Sequence, residues 1–152
     1  MNAFTLLKQD HQTVADLLEK IDKTTERGTK TREELFTRVK TELDVHAKIE
    51  EEIFYPALEN EDETRDITLE AFEEHRLVKQ LLAELESMSK DSEEWTAKFT
   101  VLKENIEHHV EEEEGEMFTK ARKVLSKEDQ EALGERLEAA KQDEKRALGA
   151  QA

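Results

Sequence analysis

The sequence predicts an all-α protein: an antiparallel up-down four-helix bundle followed by a short C-terminal tail helix. Three observations carry that expectation. Apolar residues recur at steps of three and four through four long stretches. With 4 Gly and 1 Pro in 152 residues, few positions can interrupt a helix. Charged residues make up 41% of the chain and hydrophobic ones 36%, the balance of narrow apolar seams inside a solvated exterior. A chain of this length forms one core, and we expect the bundle over residues 1–125 and the helix with its tail over 126–152.

The first helix has its stripe at Phe4, Leu7, Val14, Leu18 and Ile21 and stops before "TTERGTK". The second carries Phe36, Val39, Leu43, Ile53 and Ala57. Pro56 should loosen its end, because proline lacks the amide that would bond back to Glu52. Beyond the polar loop "ENEDETRD", the third helix runs through Ala71, Val78, Leu82 and Leu85. After "SKDSEE" the fourth places Trp95, Phe99, Leu102 and Ile106 on its stripe. Ser126 with Asp129 three residues later reads as the N-cap of the tail helix, whose apolar residues are Leu133, Leu137 and Ala140. Short loops between neighbours of this length make them antiparallel.

The net charge of −16 argues against a nucleic-acid or anionic-membrane partner, since no basic patch is at hand to replace phosphate counterions. Zero cysteines remove thiolate metal sites, disulfides and cysteine nucleophiles together. The start lacks a charged region followed by an apolar run, and no stretch approaches the roughly 20 apolar residues of a membrane span. The expectation is a cytoplasmic protein.

Each apolar stripe has gaps, and the gaps share a chemistry. The missing seam positions are 11 on the first helix, 46 and 50 on the second, 75 on the third, and 109 and 113 on the fourth; all are His or Glu. His46 and Glu50, like His109 and Glu113, stand one turn apart on one face. The two halves also repeat. A shift of 64 residues lays "DHQTVADLLEKI" on "EHRLVKQLLAEL", and a shift of 63 lays "FTRVKTELDVHAKIEEE" on "FTVLKENIEHHVEEEEG". The chain is thus two helical hairpins, each offering one His from its first helix and a His-x-x-x-Glu from its second. In this register His109 matches His46, while His108 falls one step off the seam and is expected to be exposed. Glu111, Glu112, Glu114 and Glu116 read as an acidic solvated face, and Tyr55 and Met117 as packing at the edge of the core.

A lone seam histidine or one i,i+4 His/Glu pair would be ordinary. Six such residues facing one another are different, because burying two carboxylates and four imidazoles without compensation costs several kcal/mol per charge. The set therefore points to a metal. Imidazole with carboxylate and no sulfur suits Fe, Zn, Cu or Mn, so divalent metals other than iron remain open on the residues alone.

The pattern His11, His46-x-x-x-Glu50, His75, His109-x-x-x-Glu113 resembles the hemerythrin-like (HHE cation-binding) domain over roughly residues 4 to 121. The resemblance implies a four-helix bundle with two non-haem irons, oxo- or hydroxo-bridged. His11 and His46 would hold one, His75 and His109 the other, and Glu50 and Glu113 would bridge them. Of about twelve positions on two octahedral irons, such a set fills about ten. The family's oxygen carriers have a further histidine one turn after the third-helix one, where this chain has Lys79, and bridge with an acid five residues after the last histidine; here Glu113 is four residues on, although Glu114 fits the longer spacing. Those departures lower the expectation of reversible oxygen storage. The expected function is a diiron protein that binds O2, hydrogen peroxide or NO in an apolar-walled pocket, with catalase-like peroxide breakdown as its chemistry. The alternative is an iron- or oxygen-sensing or storing module without turnover, which as a sensor would need a protein partner.

Overall fold

The computed structural model describes residues 1–151 of the chain, with the side chains of residues 1–149, and it is all-helical. Helix α1 spans Ala3–Asp22, α2 Thr29–Ile49, α3 Arg65–Ser87, α4 Glu93–Glu112, α5 Phe118–Val124 and α6 Lys127–Gln151. The first four form the bundle. α1 lies against α2 and α4, and α3 against α4 and α2. Asn2 opens α1 by accepting the Thr5 amide at 2.9 Å, and Ser92 opens α4 by accepting the Trp95 amide at 3.1 Å.

The stripes bury largely as their spacing predicts, except that near the end of the second helix Phe54, Tyr55 and Leu58 are fully buried and the expected Ile53 and Ala57 only partly so; the core is split in two. At one end Phe4, Leu7, Phe54, Phe118, Leu133 and Leu137 pack together. At the other, Val14, Leu18, Phe36, Trp95, Phe99 and Ile106 do so. The gap residues of the sequence form the layer between them. The far end also buries a cation that no apolar stripe could announce. Arg32, 2% exposed, donates to Thr24 and Thr96 and to the Lys90 carbonyl, with its guanidinium 4.7 Å from the Trp95 ring centre, so it ties both hairpin turns together.

α2 and α4 both change pitch at the same register. Residues Glu50–Phe54 and Glu113–Met117 are π-helical turns with i→i+5 bonds, the Tyr55 and Phe118 amides reaching back to the Glu50 and Glu113 carbonyls. Such a turn does not require Pro56, because the α4 turn has no proline near it. What Pro56 does is follow the α2 turn into a short 3-10 turn, Tyr55–Ala57, that ends the helix, whereas α4 continues as α5.

The tail helix is 25 residues long, far more than its few apolar residues suggest. A reciprocal capping box opens it, Ser126 and Asp129 exchanging side-chain to backbone bonds at 3.0 Å each. It lies across α1 and α2, with Leu133 and Leu137 entering the first core cluster. Among the described residues no helix is long and apolar enough to cross a membrane.

Candidate metal centre

The six gap residues meet. His11, His46, His75 and His109 are 6–7% exposed, and Glu50 and Glu113 are 0% and 1% exposed. The rings of His11 and His46 stand 4.9 Å apart at their centres, as do those of His75 and His109. Glu50 Oε1 lies 3.0 Å from His46 Nε2 and 3.1 Å from His75 Nε2, so this carboxylate spans both pairs. Glu113 spans them from the other side, at 3.1 Å from His11 Nε2 and 3.2 Å from His109 Nε2. Two groups of potential ligand atoms result: His11, His46, Glu50 and Glu113; and Glu50, His75 and His109.

Behind each imidazole stands a second carboxylate. Asp10 Oδ2 is 2.9 Å from His46 Nδ1, Glu114 Oε2 2.6 Å from His11 Nδ1, Glu51 Oε2 2.8 Å from His75 Nδ1, and Glu74 Oε1 2.7 Å from His109 Nδ1. A carboxylate only accepts, so each Nδ1 must carry the hydrogen and each Nε2 is left facing inward. Glu114 is therefore not part of a plain acidic surface. The outer set obeys the internal repeat: the residue before the first histidine of each hairpin (Asp10, Glu74) holds that hairpin's second histidine. The residue after each seam glutamate (Glu51, Glu114) holds the other hairpin's first. The signal was in the sequence as "DH" against "EH" and a shared "EE", once the repeat is extended by one residue each way. His108 is 69% exposed in side chain, as its register predicts.

Tyr55 corrects the sequence reading more sharply. It is fully buried, and its hydroxyl donates to Glu113 Oε2 at 2.6 Å. The same oxygen is 3.2 Å from Glu50 Oε1, 3.1 Å from His75 Nε2 and 3.4 Å from His109 Nε2. In an α-helix a residue five after Glu50 would point elsewhere; the π-helical turn brings it into line. Lys79 turns its ammonium away from the centre to Glu51, 2.9 Å away, so it steadies the acceptor behind His75.

The donors fit a metal. Four inner atoms, His11 Nε2, His46 Nε2, Glu50 Oε2 and Glu113 Oε1, are buried without a hydrogen-bond partner. Native proteins leave such atoms bare only for a reason. Two donors each about 2.1 Å from one ion and at right angles stand about 3.0 Å apart, which is the spacing found between imidazole and carboxylate here. Without a cation, protons must balance the carboxylates. Burial pulls the His46 imidazole down, but Glu50, with Asp10 and Glu113, outweighs it and pushes it up to about 10. His75 and His109 are likewise raised against burial by their carboxylates. Burial works against the Glu113 charge too, yet Glu50, His109 and His11 hold it well below the usual carboxylate range. Beside the histidines, toward the second core cluster, lies a cavity of about 40 Å³ walled by Val14, Leu43, Val78, Leu82, Ile106 and Val110.

The model of the hemerythrin HHE cation-binding domain matches residues 2–121. The chain belongs to this family. The crystal structure of a hemerythrin HHE cation-binding domain-containing protein from Mycobacterium kansasii superposes with a TM-score of 0.86 at 28% identity, covering 97% of this chain and 89% of that one. An uncharacterized protein of Mycobacterium tuberculosis is 32% identical over 121 residues, 78% of this chain and 71% of its own length. A DNA nickase of Nostoc sp. is 28% identical over all 152 residues, and the chain spans 42% of that protein. As an HHE domain, the chain has in its helical bundle a His/Glu cluster able to hold a metal. The M. kansasii match covers nearly the whole chain, whereas the family model ends before α6.

Proposed function

We propose that this HHE domain is a diiron protein in which His11 and His46 hold one iron, His75 and His109 the other, and Glu50 and Glu113 bridge them. The observation that carries this reading is that each carboxylate lies 3.0–3.2 Å from one imidazole of each pair, with buried inner atoms that bond to nothing else. Bound iron supplies redox cycling for two-electron chemistry on O2, NO or peroxide, the last as two H2O2 giving O2 and two H2O. The chain's own residues set the rest. A cavity of about 40 Å³ has room for a diatomic molecule or peroxide and not for an organic substrate. Its walls are mostly aliphatic, with the exposed Asp44 and Lys79 also lining it, and the outer carboxylates fix which nitrogen of each imidazole faces the centre. Tyr55 Oη holds its proton against Glu113 and stands among the donors of the His75/His109 pair, close enough to become a further ligand there. DNA nicking, the activity in one relative's name, is not part of this reading, since a net charge of −16 works against gathering phosphates.

Elemental analysis tests the pairing. The protein should hold two irons per chain, and Glu50→Ala should lose both, because each shares that bridge. One tightly held metal in both proteins would overturn the paired site. Oxygen evolution from peroxide by the iron-loaded protein tests the chemistry separately.

A further inference from the structure

The four outer carboxylates are not equally supported. Asp10 is the most buried of them at 4% exposure, and it uses both oxygens: Oδ2 faces His46 Nδ1 at 2.9 Å, and Oδ1 accepts from Lys141 Nζ at 2.5 Å. Lys141 belongs to α6, twenty residues past the end of the family match. Glu74, the repeat equivalent of Asp10, holds His109 in the same way but is 27% exposed, and among the described residues no lysine reaches it. The internal repeat is broken at this point by a helix that has no counterpart in the other half.

α6 is fastened where this matters. Leu133 and Leu137 pack against the first core cluster before Lys141, and the Lys48–Glu144 and Lys145–Glu42 pairs, at 2.7 and 3.1 Å, tie the helix to α2 just after it. A buried carboxylate with only one oxygen bonded would leave the other bare, and a bare buried charge is expensive. Such a group turns toward water when it can, and here turning would take it off His46. With Lys141 on Oδ1, the carboxylate plane is fixed, and so is the His46 ring that faces Glu50.

From this we infer that Lys141 is a positioning residue for the metal centre: the tail helix reaches in through Asp10 to orient His46. The inference rests on the reading of His46 as a ligand. It makes α6 part of the site rather than an appendage, and it predicts an asymmetry, with the His11/His46 metal depending on α6 and the His75/His109 metal not.

The test uses the full chain loaded with zinc, which suits the same donors and is diamagnetic. Lys141→Met keeps the packing of the side-chain stem and removes the ammonium. We expect it to bind two zinc ions but to release one of them to a chelator about tenfold faster, at the lower end of the range for outer-partner changes. The nitrogen-bound proton of His46 Nδ1, seen by NMR with labelled histidine, should exchange with water faster. Lys141→Arg should restore both readouts in part, and Arg146→Met, on the same helix but paired only with the exposed Asp143 of that helix, should match wild type. If Lys141→Met and Arg146→Met are indistinguishable in both, the inference fails. Should Lys141→Met not fold, wild type still decides: Lys141 ammonium protons bonded to Asp10 must exchange more slowly than those of Lys145, and equal rates overturn the proposal. His46→Ala separates the two levels. If it leaves the metal content unchanged, the ligand reading itself falls, and the inference with it.

Discussion

Tyr55 and Phe118 occupy equivalent places in the two hairpins, each just past a π-helical turn, each fully buried, yet only one carries a hydroxyl. That oxygen makes the site unequal. Phe118 packs against Phe4 and Phe54, while Tyr55 turns its oxygen between Glu113 and His75. Burial, Glu113 and Glu50 all raise the phenol, so in the metal-free protein it stays a neutral donor. A nearby cation reverses that preference, because it favours the phenolate. Tyr55→Phe should therefore keep two irons per chain but lack the visible phenolate-to-iron(III) absorption band expected of iron-loaded wild type; identical spectra would mean the oxygen stays a donor to Glu113 and never binds iron. The six inner residues were legible because helical spacing alone gathers them: gaps in four stripes at matching register can face one another in only one layer. Tyr55 was not legible, since an i+5 neighbour of Glu50 reaches the centre only through a change of helical pitch that no residue pattern announces. Glu114 and Glu51 sit between these cases. Both lie in acidic runs that read as surface, and only the repeat, carried one residue further, distinguishes them from their exposed neighbours.

At the scale of elements, the four bundle helices follow from their stripes, and the tail helix does not. Its apolar residues are too sparse to show how it docks, and its grip adds charge pairs and one close-packed glycine to the buried Leu133 and Leu137. Gly134 faces the start of α1 so closely that a methyl group there would stand 2.1 Å from the Met1 carbonyl oxygen, 2.8 Å from the Asn2 carbonyl carbon and 2.9 Å from the Ala3 nitrogen. These are backbone atoms, and Asn2 is the residue that caps α1. Alanine is worth about 1 kcal/mol over glycine inside an isolated helix. Here the clash should outweigh that gain, because overpacking typically costs about 1–3 kcal/mol and displacing the cap about 1 more. Gly134→Ala should thus lower the melting temperature, with α6 or the start of α1 losing hydrogen-exchange protection first. A raised melting temperature would show that α6 can shift freely along α1. Sequence periodicity could not have found this contact: a glycine in a polar helix reads as a weak point, and its use here is the space it leaves for another backbone.

For the whole molecule, the centre sits between two apolar clusters, so its charge state is a term in the stability of the entire bundle. In the metal-free protein His46 is raised from its ordinary 6.5 to about 10. A group raised on folding contributes stability that is complete below pH 6.5 and is lost as pH rises toward 10. Glu113, held low, contributes in the opposite sense: its share is present above about 4.5, the ordinary glutamate value, and is lost as pH falls. The metal-free bundle should therefore be most stable between about pH 4.5 and 6.5 and weaken from 6.5 to 10. Iron or zinc held by these residues would take over the role of those protons, since a metal binds the neutral imidazole. Loading should then flatten the alkaline limb, and the difference in melting temperature between loaded and metal-free protein should widen from pH 6 to pH 9. Comparing the two forms at each pH cancels the self-repulsion of a chain with net charge −16, which acts on both. The same argument fixes a proton count. Metal added to the metal-free protein at pH 7.5 in weak buffer should release protons, at least the one on His46, and mutation of His46 to Ala should reduce the number released. If loading releases none, then neither the imidazoles nor the carboxylates between them hold an extra proton in the metal-free fold, and the raised His46 is overturned.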